Sequence, residues 1–128
     1  MPFALGMPAL IEMPDLPDLV DLCQELELSF IELNMNMPEN CPEWLDPTDL
    51  RDVTSSTGIE FTLHSPDELD LGSLHPTVRA GHLDRMREAL GWCAQAGVRA
   101  MNVHISPGIY FTLPDRRVWI YERYVDEF

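Results

Sequence analysis

Two histidines stand in two similar stretches of this chain. Residues 58–66 read GIEFTLHSP and residues 97–107 read GVRAMNVHISP. In each, a glycine suited to closing a helix precedes an apolar run, a histidine, and then serine and proline. A neutral imidazole can ligate zinc or manganese, and it can equally hydrogen-bond a hydroxyl group. A single histidine in a strand is commonly a satisfied structural residue. Two at matched places, His64 and His104, point instead to a shared site.

Alternation along the runs that carry them sorts the neighbouring side chains into two faces. Ile31 and Leu33, Phe61 and Leu63, and Met101 and Val103 make one apolar face. The other holds Glu32, Asn34 and Asn36, then Thr62 and His64, then Asn102 and His104. Glu32 and Asn34 therefore join the histidines as candidate substrate-binding residues, while Thr62 and Asn102 lie deeper, as network residues. The acidic run Asp67, Glu68 and Asp70 follows His64 and reads as a solvated loop within reach of a cation. His75 and His82 read as exposed, and Trp92 as packing in a helix. Trp44 sits in a loop where a lid role is open.

The elements that must position these residues alternate between strand and helix, the layout of consecutive βα units on a parallel sheet. Apolar runs at residues 3–12, 30–36, 60–65 and 100–105 are the expected strands. A first helix opens near Asp15 and Pro17 and carries Leu16, Leu19, Val20, Cys23 and Leu26. A second runs from an Asp46 cap with Pro47 at its first position to Gly58. A third begins near Pro76, with Leu83, Met86, Leu90 and Cys93 as its buried stripe, and closes at Gly97. A fourth is expected after Pro114, through Val118, Tyr121 or Glu122, Val125 and Phe128. With no stop signal there, residues 1–128 read as a single partial domain cut within its fourth helix.

A doubly wound sheet buries both faces and should read as near-continuous Val, Ile and Leu. The polar positions on every strand favour a closed barrel, whose inner face at the carboxyl ends of the strands forms the active-site mouth. The expected fold is α/β: the N-terminal half of a (β/α)8 barrel, about four parallel βα units.

Composition narrows the partners. The net charge is −14, from 22 acidic residues against eight arginines and no lysine, with no basic stripe. That excludes ordinary nucleic-acid binding and suits a small molecule or a metal cation. Cys23, Cys41 and Cys93 form no C-x-x-C pair and read as reduced thiols of a cytoplasmic protein. No signal peptide or membrane span is expected, and no P-loop, G-x-G-x-x-G, G-x-S-x-G or H-E-x-x-H pattern is present.

On these residues the chain resembles the xylose-isomerase-like barrel superfamily, which includes sugar-phosphate isomerases and epimerases and, more remotely, nucleases of the endonuclease IV type. Phe30-Ile31-Glu32-Leu33 looks like the V-E-L second strand. The segment from His64 to Ser73 is similar to H-x-P-x-x-x-N-L-x-S, with Asp70 in place of asparagine. Asn102-Val103-His104 resembles the fourth-strand histidine, although Pro107 and Gly108 come two residues late.

The resemblance implies a barrel of about 250 residues with a divalent metal, manganese, zinc or magnesium, held mainly by later strands. His64 and His104 would then face a carbohydrate-like substrate, with the catalytic groups beyond residue 128. Under the nuclease-like alternative, an abasic-site enzyme, the same two histidines would be zinc ligands. A third reading is a non-catalytic binding module derived from the barrel. In any of these, a half-barrel alone is expected to self-associate through its open strand edges and to be inactive.

Overall fold

The computed structural model describes residues 3–104 and 108–120. Four strands, β1 (Gly6–Pro8), β2 (Phe30–Asn34), β3 (Glu60–His64) and β4 (Met101–Asn102), form one sheet in the order β1-β2-β3-β4, every neighbouring pair parallel. The register sets Gly6 beside Phe30, Phe30 beside Glu60, and His64 beside Asn102. Helices α1 (Leu16–Glu25), α2 (Pro47–Thr57) and α3 (Pro76–Ala96) connect them in turn.

Side-chain alternation works as the sequence implies. Ile31, Leu33, Phe61 and Leu63 are buried with Leu19, Val20 and Cys23 of α1, Leu50 of α2 and Ala89, Trp92 and Cys93 of α3. Glu32, Asn34, Thr62 and His64, on the opposite face, are half-buried, and Asn102 and His104 are exposed. The three thiols are free and buried, and burial pushes each above its usual range, so they remain protonated at neutral pH.

α2 follows its punctuation closely. The Asp46 carboxylate accepts the Thr48 amide at 2.8 Å, Pro47 opens the helix, and Gly58 closes it at φ 80°. Gly97 ends α3 in the same left-handed conformation, at φ 78°. The Thr48 amide holds the Asp46 carboxyl below the ordinary carboxylate range. A depressed folded-state value means that this cap stabilises the protein above the unfolded aspartate value of about 4 and is lost as the pH falls further. Asp46→Ala should therefore destabilise the chain at neutral pH, and the gap from wild type should close below about pH 4. Thermal melts between pH 2 and 7 check this; a gap that does not narrow as the pH falls below about 4 would count against the cap.

Several expectations need correction. β4 ends at Asn102, short of the expected strand, and Asn102, expected as a deeper network residue, is exposed. β1 spans three residues rather than the ten of 3–12, because Pro8 has no amide hydrogen to donate. Pairing reaches one step further through the Ala9 amide to the Glu32 carbonyl. At Gly6 a Cβ would overlap the Phe30 ring, so the close approach of β1 to β2 requires glycine.

The buried stripe of α3 is Met86, Ala89, Trp92, Cys93 and Ala96, and Leu90 is 51% exposed. In α1, Leu19, Val20 and Cys23 are buried, but Leu26 caps the helix and is exposed. No helix starts at Pro114. Strands β5 (Tyr110–Thr112) and β6 (Arg117–Trp119) form an antiparallel hairpin around Pro114 and Asp115, closed by the Leu113 amide on the Arg116 carbonyl at 2.7 Å. Tyr110 and Trp119 meet across it, their ring centroids 4.9 Å apart and their planes tilted by 58°, with the Arg117 guanidinium over the Tyr110 ring. The rest of the expected fourth helix, residues 121–128, lies outside the described residues.

Candidate functional site

The carboxyl ends of β2, β3 and β4 place the sequence-derived polar residues together on one side of the sheet. His64 is the last residue of β3, in register with Asn34 on one side and Asn102 on the other. His104 therefore stands two residues beyond the register partner of His64, on the same face, and the matched places in sequence are staggered in space. The rings still meet. Their Nε2 atoms are 2.7 Å apart and their centroids 4.7 Å apart, at 57°. At that separation one Nε2 donates and the other accepts, so the two rings cannot both carry a proton there. His64 Nδ1 is buried, without a hydrogen-bond partner among the described residues. Its Nε2 is consequently the nitrogen presented to the mouth.

Asp67 completes the group. Its Oδ1 lies 3.3 Å from His104 Nε2, and the three candidate ligand atoms of His64, Asp67 and His104 all fall within 4.8 Å of one another. The loop that carries Asp67 is tied to β2: the Asp67 amide donates to Asn36 Oδ1 at 2.9 Å, and the Asn36 amide donates to Asn34 Oδ1 at 2.9 Å. Asn34 thus braces the loop, and its side-chain oxygen is engaged there. Glu32 shares the polar face but stands one pleat deeper, beside Pro8 and Thr62 in register and outside the three-residue group. Asp70 turns its Oδ1 onto the Gly72 amide at 3.1 Å, the local role that an asparagine would also fill. His75 precedes α3, exposed, and His82 is half-buried within that helix; neither belongs to the group.

Sequence reasoning placed Asp67 in an acidic run and gave no ground for choosing it over Glu68 or Asp70. The available signal was its spacing of three residues after His64 across Pro66, which fixes a tight turn closed by the Leu69 amide on the Pro66 carbonyl. Trp44 lies on the loop after β2 and is 77% exposed. That loop is pinned to α3 from below. Trp92 Nε1 donates to the Leu45 carbonyl at 3.1 Å, and Arg85 grips Glu43 through both guanidinium nitrogens, at 2.5 and 3.0 Å. The Arg85 guanidinium holds the Glu43 carboxyl below its usual range.

No family model and no curated protein matches this chain. Among solved structures it is similar to the crystal structure of a D-tagatose 3-epimerase-like protein, at 18% identity and a TM-score of 0.67. The match covers 98% of this chain and 43% of that one. The chain has the fold of half a β/α barrel. Four parallel strands in sequential order, with helices between them, are half of the eight that close such a barrel. The chain spans less than half the length of the structure it matches, and at this identity the likeness is one of fold. Among the described residues no helix is long and apolar enough to cross a membrane.

Proposed function

We propose that this chain forms the first four βα units of a barrel enzyme that isomerises or epimerises a sugar or sugar phosphate by proton transfer next to a carbonyl. In this reading His64 and His104 bind the substrate. The observation that carries it is the convergence of the two imidazoles at the carboxyl ends of adjacent parallel strands, on the polar face. In a β/α barrel that end is the mouth where substrates bind. The similarity to an epimerase-like barrel supports the same substrate class.

A hydrogen-bonded imidazole pair offers a sugar one donor and one acceptor. A hydroxyl entering between the rings would accept from one Nε2 and donate to the other, replacing the bond they make to each other. The Asp67 carboxylate adds an acceptor for a neighbouring hydroxyl, and exposed Asn102 adds both functions at the rim. Two imidazoles and a carboxylate also form a donor set that suits zinc or manganese. A divalent ion, when bound, polarises a carbonyl and so acidifies the adjacent C–H. The proton-moving acids belong, in this reading, to later strands. A net charge of −14 and the lack of a basic stripe speak against an abasic-site nuclease.

Saturation-transfer NMR of the chain with a panel of ketoses and aldoses tests the substrate class. At least one ketose should receive saturation, and His64→Gln with His104→Gln should abolish the signal. No transfer to any sugar would overturn the reading.

A further inference from the structure

We infer that a second copy of this chain covers both open edges of the sheet, with β4 of each protomer parallel to β1 of its partner, so that two chains close one eight-stranded barrel. The inference rests on the fold and stands apart from the sugar reading. The sheet ends at β1 on one side and at β4 on the other, and no described strand pairs with either outer side. In β4 the carbonyls of Ala100 and Asn102 take amides of β3, so Met101 and Val103 turn their backbone groups to the open side. In β1 the Leu5 carbonyl and the Ala9 amide are bonded to the β2 side, and Gly6 faces outward. Such edges template pairing with another chain.

Exposed apolar side chains gather beside both edges. Phe3, Leu5 and Ile11 flank β1 and are 95%, 67% and 76% exposed. Beyond β4, Ile109, Phe111 and Leu113 alternate onto the hairpin face opposite Tyr110 and Trp119, and are 62%, 59% and 41% exposed.

Charge decides which edge meets which. Residues 1–50 hold eleven acidic side chains and no arginine, whereas residues 98–120 hold three arginines against one acid, Asp115. Two β1 edges would repel each other, while β1 against β4 attracts. Strand direction refines the match, because parallel pairing sets amino end beside amino end. Arg99, just before β4, then comes to the side of Glu25 and Glu27 at the end of α1. Arg116 and Arg117, in the hairpin after β4, come to the side of Glu12 and Asp15 ahead of α1. All of these charged side chains are exposed.

Head-to-tail pairing makes a ring only where its rotation closes, and otherwise an open filament. Eight strands close a β/α barrel, and two copies of this four-stranded sheet supply them. The closed form sets two His64–His104 pairs around one mouth.

Sedimentation velocity of the 128-residue chain tests the inference. A dimer is expected at ~50 μM, dissociating on dilution. Arg116→Glu with Arg117→Glu should weaken it ~10–100-fold, and adding Glu12→Arg with Asp15→Arg to the same chain should restore the affinity to within ~3-fold. Arg51→Glu with Arg87→Glu, an equal change of charge on α2 and α3, should leave it within ~3-fold of wild type. Val103→Pro removes an edge amide that β3 does not use and should shift the chain toward monomer. A monomer at every concentration would overturn the proposal, as would species larger than two chains. So would a dimer weakened equally by the two double reversals, one that the charge swap fails to restore, or one that Val103→Pro leaves unchanged.

Discussion

Leu63→Ala is expected to destabilise the chain by about 3 kcal/mol, within the span seen for leucine truncation in a packed core. Leu63 is fully buried on β3, an inner strand of the sheet, next to the site residue His64 but pointing to the opposite face. Its backbone pairing, from its amide to the Ala100 carbonyl at 3.1 Å, does not depend on the side chain and should survive. The loss is then one of packing against the helices. Urea unfolding followed by circular dichroism measures it. A cost below about 1 kcal/mol would show that the helical side of the sheet is not packed as described. His64→Ala, one residue along on the half-buried polar face, should cost far less stability while removing the imidazole pair. The contrast separates the fold-bearing face from the polar one.

Trp92→Ala should be larger still, about 3–5 kcal/mol. The indole is buried in α3 and also spans the gap to the loop after β2 through its N–H on the Leu45 carbonyl. Trp92→Phe keeps most of the packing and loses that hydrogen bond, for about 1 kcal/mol. Thermal and urea unfolding of both variants resolve the two parts. Equal losses would place the whole effect in the hydrogen bond and none in the packing. Because Trp44 rides on the same loop, both variants should also loosen the rim of the mouth.

The parts of the fold legible in sequence were those dictated by local chemistry. The Asp46, Pro47 and Gly58 signals of α2 need no tertiary information, and each does what its chemistry requires. The alternation in residues 30–34 and 60–64 sorted the faces because the period of a strand is fixed. The stripe of α3 failed at Leu90 for the opposite reason. Packing of α3 turned on small side chains, with Ala89 and Ala96 facing inward, and a reading weighted to large apolar residues chose the neighbouring position.

The hairpin at residues 110–119 resembles the start of a helix in sequence because Pro114 suits a first helical turn as well as a tight turn. Its flanks, Tyr110-Phe111-Thr112 and Arg117-Val118-Trp119, are strong strand formers around a Pro-Asp turn and held the better signal. At the site, the two histidines were legible from their repeat. Asp67 was not, since its place depends on a hydrogen bond to Asn36, which no local pattern encodes.

The three indoles of the chain occupy three different surroundings, and this gives the molecule its own optical reporters. Trp92 is enclosed in the core, Trp44 projects from the loop after β2, and Trp119 is half-buried against Tyr110 in the hairpin. Emission from Trp92 should lie at the shortest wavelength and resist iodide, while Trp44 should be red-shifted and freely quenched. Unfolding of the core, movement of the rim and disturbance of the hairpin can then be followed separately, by light alone, in single-tryptophan variants of the unlabelled chain.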